Sequence, residues 1–413
     1  MARDVLVSPL GDADHVVIVG GGLSGWRVAE SLRREGFDGA LSLIGDESDA
    51  PYDRPPLSKQ VLAGQWEIDQ TLLATDERVA MSQATLHLGV AARSLDVATT
   101  TVHLEDGSSI AGTHVVIATG ARARRLPFSA DEHLHVLRSR RDALALIEAV
   151  ERLEPGRVVA IIGGGFIGAE VATSLNKRGL RPVIFEVAPA PLVGPLGATV
   201  ADWLKKLPAE AGVELRSGVH VTDVTRVEEE FLVHVDGEGP FAAALVVVGA
   251  GAIPNVEWLA TSGLTIDNGV VVDRHFLATD RVAAVGDVAR FTWDSPLGEQ
   301  LVRMEHWEVA VGHAAALARF WVHGESAGPM VPYFWSDQYG RKIQMVGHPS
   351  PSDDVTRVAE RDEGAKWLAL YSHDGVVTGV VGLNMPRQLT LSRHLLETAT
   401  SLETARAAAP WDS

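Results

Sequence analysis

Two glycine runs carry the first chemical signal. Gly20, Gly22 and Gly25 follow the apolar run Val16-Val17-Ile18-Val19, and Gly163, Gly165 and Gly168 follow Val158-Val159-Ala160-Ile161-Ile162. Each set is spaced G-x-G-x-x-G between a run of strand length and a helix-like stretch, residues 26–35 in one case and 169–178 in the other, closed by Gly36 or Gly179. In that context the first glycine permits a tight turn and the second lets the backbone approach a pyrophosphate. The third lets the helix pack closely on the strand, while free N–H groups at the helix N-terminus attract the anion. One such run often only joins a strand to a helix; two, each followed by a second strand, point to a chain that holds two dinucleotides.

Carboxylates at the ends of the second strands assign those dinucleotides. Pro182-Val183-Ile184-Phe185 runs into Glu186, ~20 residues past its fingerprint, where a carboxylate accepts from both ribose hydroxyls. No Lys or Arg occurs in residues 187–192 to accommodate a 2′-phosphate, which favours NADH over NADPH. The first copy is less regular: the strand at 41–44 is followed by Gly45, then Asp46 and Glu47, so the ribose acid, Asp46, comes one residue late.

The elements that position these groups read as two open sheets. His114-Val115-Val116-Ile117-Ala118 and Leu245-Val246-Val247-Val248 are continuous apolar runs, expected as buried parallel strands. Alternation at 101–104 before Glu105-Asp106-Gly107, and at 231–235 before Asp236-Gly237, predicts antiparallel ribbons with turns at those Asp-Gly steps. Apolar residues at 307, 310, 311, 314, 317, 318 and 321 predict one face of a helix ending at Gly324.

Composition narrows the chemistry. Among 413 residues there is no cysteine, which excludes a disulfide framework, thiolate metal sites and a redox-active thiol pair on this chain. No metal site is expected. The net charge of −18 argues against broad attraction to nucleic acid or to an anionic membrane. Apolar segments fall short of the ~18 residues that a spanning helix requires. Near the N-terminus only the short run Val5-Leu6-Val7 is apolar, so no secretory signal is expected and the cytoplasm is the expected compartment.

With these motifs in place the chain resembles the FAD-dependent pyridine nucleotide reductases, and within them the oxygenase-coupled NADH:ferredoxin reductases. The resemblance runs from about Asp14 to about Pro386. It is carried by both fingerprints, by Pro51-Tyr52-Asp53-Arg54-Pro55-Pro56-Leu57-Ser58-Lys59, Ala118-Thr119-Gly120 and Glu170, by Thr279-Asp280 through Val285-Gly286-Asp287, and by Arg303-Met304-Glu305-His306-Trp307 and Phe334-Trp335-Ser336-Asp337-Gln338-Tyr339. It implies an α/β fold of two Rossmann-like domains in the glutathione-reductase-like arrangement plus an α+β C-terminal domain. The FAD-binding domain is expected at 1–120 and 249–326, the NADH-binding domain inserted at 121–248, and the C-terminal domain at 327–413.

The same resemblance implies the site residues. FAD contacts are expected at Gly20, Gly22, Ser24, Gly25, Asp46, Arg54, Lys59, Ala92, Ala118, Thr119, Gly120, Arg138, Asp287 and Trp307. NADH contacts are expected at Gly163, Gly165, Phe166, Ile167, Gly168, Glu186 and Gly251. Asp287 corresponds to the acid at the FAD ribitol, and the helix starting at Trp307 to the one whose N-terminus faces the flavin pyrimidine, where N–H groups stabilise negative charge. Lys59, Glu170 and Glu305 are implied as the charged groups around flavin N5 and the nicotinamide. Trp335 is a candidate for the partner's docking surface or an anchor of the C-terminal domain, and Arg303, Arg341, Lys342, Arg387 and Arg393 are candidate docking cations.

The implied activity takes a hydride from NADH and passes single electrons to a [2Fe–2S] ferredoxin serving a cytochrome P450 or a Rieske-type oxygenase, the protein being a monomer or a homodimer. Two alternatives stay open: an NADH oxidase or quinone reductase on the same scaffold, and a redox-sensing interaction protein resembling apoptosis-inducing factor. The absence of cysteine disfavours the thiol-assisted branches of the first, and the lack of basic excess disfavours the second.

Overall fold

The computed structural model describes residues 9–127, 133–328 and 330–412; the run Val5-Leu6-Val7 lies outside them. The chain divides into two compact units. The first comprises Met1–Asp53, Leu72–Arg122 and Ile253–Pro332, and the second Arg54–Thr71, Ala123–Ala252 and Tyr333–Ser413.

The first unit is built on a six-stranded sheet in the order Leu277–Thr279, Val282–Ala284, His114–Ile117, His15–Val19, Ala40–Gly45, Ala84–Leu88. All neighbours are parallel except the edge pair of Leu277–Thr279 with Val282–Ala284. Continuous apolar runs suit this arrangement because both faces of the central strands are covered: Val16, Val17, Ile18, Val115, Val116 and Ile117 have no exposed surface. Chain order reverses beside His15–Val19, whose neighbours come from later segments on either side, so its carboxyl end opens onto a topological switch point. The helix Leu23–Arg34 buries Trp26, Val28, Ala29 and Leu32.

The helix Trp307–His323 ends at Gly324, which adopts a left-handed φ of 70° and donates its N–H to the Phe320 carbonyl. Its buried face is Val309, Ala310, His313, Ala314, Leu317, Ala318 and Trp321, whereas Trp307 and Val311 are only half-buried. The face expected from apolar spacing is therefore rotated towards His313. Apolarity alone misses an imidazole that enters a core because one ring nitrogen is hydrogen-bonded there.

The second unit contains a four-stranded parallel sheet ordered Glu214–Ser217, Arg181–Glu186, Val158–Ile162, Leu245–Val248, with the helix Phe166–Lys177 after the second fingerprint. The ribbon of Glu230–Val235 with Phe241–Ala243 is antiparallel and turns at Asp236-Gly237. In the first unit Thr101–Leu104 and Ser109–Ala111 form the corresponding ribbon. A five-stranded antiparallel sheet follows, ordered Tyr333–Gln338, Arg341–Gly347, Val376–Leu383, Lys366–His373, Asp354–Arg361. One of its faces shares a core with the segment Val193–Leu204: Leu196, Val200 and Leu204 pack with Ile343, Met345, Trp367, Tyr371 and Val381. The Tyr371 hydroxyl donates to the Leu196 carbonyl at 2.7 Å. Burying the phenol also pushes its pKa up, so the hydroxyl keeps the proton it donates.

Candidate functional site

Both fingerprint loops are closed by backbone at the outer glycines, the first against a neighbouring segment and the last against the loop itself, and open at the middle one. A Cβ on Gly20 would lie 2.1 Å from the Ala118 carbonyl oxygen, and one on Gly25 2.0 Å from the Gly20 carbonyl oxygen. The second loop repeats this: a Cβ on Gly163 would meet the Gly249 oxygen at 2.4 Å, and one on Gly168 the Gly163 oxygen at 2.0 Å. At Gly22 and Gly165 such an atom would meet nothing within 4 Å. Each of these two glycines caps its helix in extended conformation without a side-chain cap, and neither first turn holds an acid. The loops thus present helix N-terminal N–H groups to open space, the cradle an anionic diphosphate requires.

Glu186, the last residue of its strand, accepts from Gly164 N at 2.6 Å through Oε2 and from Ala188 N at 2.7 Å through Oε1. Two backbone donors thereby orient the carboxylate beside the second loop. Asp46 stands exposed just beyond the strand Ala40–Gly45, while Glu47 next to it accepts from the Tyr52 hydroxyl at 2.7 Å.

At the carboxyl end of Val282–Ala284 the chain makes a 3-10 turn over Gly286–Val288. Its Gly286 has a φ of 72°, and a Cβ there would lie 2.0 Å from Ser24 Oγ. The Asp287 carbonyl accepts from Arg303 Nη1 at 3.0 Å, and the same guanidinium nitrogen reaches Glu305 Oε1 at 2.6 Å. Trp307 opens its helix, and its indole N–H donates to Asp53 Oδ1 at 2.8 Å. Thr119 and Gly120 are tied to Asn255: Thr119 Oγ1 donates to the Asn255 carbonyl at 2.8 Å, and Asn255 N–H reaches the Gly120 carbonyl at 3.0 Å. Ala118 is buried and Ala92 half-buried.

The second unit brings three chain segments onto one carboxylate. Glu170, on the helix Phe166–Lys177, accepts from Lys59 Nζ at 2.8 Å and Ser336 Oγ at 2.6 Å through Oε1, and from Ser58 Oγ at 2.6 Å through Oε2. The side chains of Lys59 and Glu170 are 13% and 4% exposed. An ion pair this far from water holds only if its remaining hydrogen-bonding capacity is met, and the two hydroxyls meet it. The segments are fastened together nearby. Ser174 Oγ donates to the Ser58 carbonyl at 2.6 Å, Tyr339 N–H to Thr173 Oγ1 at 2.9 Å, and the Phe166 and Phe334 rings lie 4.4 Å apart. Arg54 Nη1 donates to the Arg138 carbonyl at 2.6 Å.

Of the charged trio expected from sequence, Lys59 and Glu170 meet, whereas Glu305 belongs to the first unit and pairs with Arg303. Arg303, 13% exposed at its side chain, pairs with Glu305 and donates to the Asp287 carbonyl. Arg341 and Lys342 face Glu210 and Asp337 at 4.0 and 3.1 Å. Trp335 stacks on Tyr333 with centroids 5.9 Å apart. Ile167 is 45% exposed beside the second loop, and Gly251 takes a φ of 97° with open space at its Cβ position. Ser58, Ser336, Asp53, Asn255 and His313 were not singled out from the sequence. Ser58, Asp53 and Ser336 lie inside motifs that were, the only signal that could have found them.

Comparison with known proteins yields one consistent result. Residues 14–314 match the model of the pyridine nucleotide-disulphide oxidoreductase family, and residues 333–412 match the reductase C-terminal family. The chain is 36% identical over 404 residues to the ferredoxin reductase component of chlorobenzene dioxygenase from Cupriavidus sp. (strain PS12), covering 96% of this chain and 95% of the relative. It is 36% identical over 399 residues to the ferredoxin--NAD(+) reductase subunit of the benzene 1,2-dioxygenase system from Pseudomonas putida, covering 95% and 94%. Among solved structures, the covalent putidaredoxin reductase–putidaredoxin complex superposes with a TM-score of 0.87 at 29% identity, covering 93% of each chain.

Proposed function

The chain belongs to the pyridine nucleotide-disulphide oxidoreductase family, and from that premise we propose that it is an NADH-dependent flavoprotein that passes electrons to a [2Fe–2S] ferredoxin serving a cytochrome P450 or Rieske-type oxygenase. The observation that carries this reading is the pair of open diphosphate cradles in a chain without cysteine. Two dinucleotides can be held, and electrons cannot leave through a thiol pair. Relatives of nearly the same length are named as ferredoxin reductase components of dioxygenases.

In this reading FAD takes the first cradle and NADH the second. The FAD-binding domain spans 1–120 and 249–326, the NADH-binding domain 121–248 and the C-terminal domain 327–413. Bound flavin supplies the chemistry that neither protein nor nicotinamide has: it accepts a hydride and releases electrons one at a time. The chain's own residues bind and orient. Amides at Gly22–Gly25 and Gly165–Gly168 hold diphosphates, Glu186 takes the ribose hydroxyls of NADH, and Asp287 takes the ribityl chain of FAD. Asp46, Arg54, Ala92, Ala118, Thr119, Gly120 and Arg138 complete the FAD contacts, and Phe166, Ile167 and Gly251 those of NADH. The N-terminal turn at Trp307 would offer its N–H groups and the positive end of its dipole to the flavin pyrimidine. Lys59, held by Glu170, would supply a fixed ammonium to the reacting flavin, and Glu305 is read as a nicotinamide contact.

The test is stopped-flow flavin bleaching by NADH and by NADPH, followed by cytochrome c reduction with and without a [2Fe–2S] ferredoxin. Fast bleaching by NADH, slower bleaching by NADPH and turnover that requires the ferredoxin are expected. Rapid NADH oxidation by oxygen or quinone, with no ferredoxin-dependent turnover across several ferredoxins, would overturn the assignment.

A further inference from the structure

One buried titratable group takes no part in the chemistry above. His313 lies on the inner face of the helix Trp307–His323 with no solvent exposure, its ring centroid 4.2 Å from that of Phe276 and 4.3 Å from that of Phe291. Its Nδ1 accepts the N–H of Gly286 at 3.2 Å. The apolar enclosure disfavours an imidazolium, and burial pushes the pKa down to about 3. With Nδ1 accepting, the ring proton sits on Nε2, which finds no hydrogen-bond partner among the described residues. An unpaired buried N–H is a cost that an aliphatic side chain would avoid. What the imidazole offers in return is its acceptor.

That acceptor sits at a tightly held turn. Gly286 presses against Ser24 of the first fingerprint helix, and its left-handed φ leaves no room for a side chain. The Asp287 carbonyl is held by Arg303, and the Ala289 N–H donates to the Gly286 carbonyl. The bond to His313 holds the amide of Gly286, so the backbone is fixed on both sides of the Asp287 Cα. We propose that His313 is the positioning residue for Asp287, a neutral acceptor that sets the turn from which the Asp287 carboxylate reaches the flavin ribityl chain. The inference rests on the reading of Asp287 as an FAD ligand.

FAD retention on dilution of the purified holoenzyme, read by flavin fluorescence, tests it in His313→Leu, His313→Gln, Asp287→Ala and the His313→Leu/Asp287→Ala double variant. NADH affinity serves as a control. His313→Leu should weaken FAD binding roughly ten- to a hundredfold, the scale of one lost buried hydrogen bond. His313→Gln, which restores an acceptor, should stay within about threefold of the parent, and the double variant within about threefold of Asp287→Ala, because one acts through the other. Should His313→Leu not fold, His313→Met carries the same comparison. Unchanged FAD affinity in His313→Leu, no rescue by Gln, or additive losses in the double variant would overturn the inference alone. Unchanged affinity in Asp287→Ala would overturn the ribityl reading itself, and the inference with it.

Discussion

At the scale of single residues, Glu170 holds three donors on one buried carboxylate. Removing the carboxylate would leave the Lys59 ammonium, 13% exposed, without its counter-ion, and breaking a buried pair from one side typically costs roughly 3–5 kcal/mol. Glu170→Ala should therefore lower the unfolding free energy in urea by about that much. Lys59→Met/Glu170→Leu should recover most of the loss, since it removes both charges and keeps the volume. A loss below ~1 kcal/mol in the single variant would mean that solvent reaches the pair and screens it. Lys59 and Glu170 could be named in the sequence because each sits in a distinctive motif. Ser58 and Ser336 could not be assigned a role, although both lie in such motifs, because which hydroxyl meets which carboxylate depends on segments more than a hundred positions apart in the chain.

At the scale of elements, the fingerprint glycines separate folding from binding. Gly168→Ala would force a Cβ to 2.0 Å from the Gly163 carbonyl oxygen, so the strand and helix must part. Gly165→Ala adds a methyl group to open space at a φ of −72°, which alanine adopts freely. Gly165→Ala is therefore expected to melt within a few degrees of the parent and to bind NADH at least tenfold more weakly, whereas Gly168→Ala should lower the melting temperature sharply. Equal effects in thermal melts and NADH titrations would contradict this division of roles. Strands and helices around the loops were legible because continuous apolar runs and 3.6-residue spacing are local signals. The face of the helix Trp307–His323 was read one step off, because Val311 is apolar yet half-exposed and His313 is polar yet enclosed.

At the scale of the whole molecule, the C-terminal sheet is part of the second unit's core and not an appended module. Leu196, Val200 and Leu204 are buried with residues of that sheet, and exposing such side chains costs roughly 1.5–3 kcal/mol each. A chain truncated before Tyr333 should thus aggregate or lose its cooperative melt; a soluble truncated protein with a sharp transition and intact NADH binding would show that the shared core is dispensable. No helix among the described residues is long and apolar enough to cross a membrane. What the sequence determined by itself was whatever short-range pattern encodes: two glycine-spaced strand-to-helix turns, an acid at the end of a strand, parallel strands, the absence of thiol chemistry. Only the tertiary structure decided that Glu170 gathers donors from two segments distant from its own helix, that Glu305 pairs with Arg303, and that an imidazole accepts the Gly286 N–H beside Asp287. Those facts follow from packing, where burial makes each polar group find a partner and the partner is chosen by proximity in space, which no spacing along the chain records.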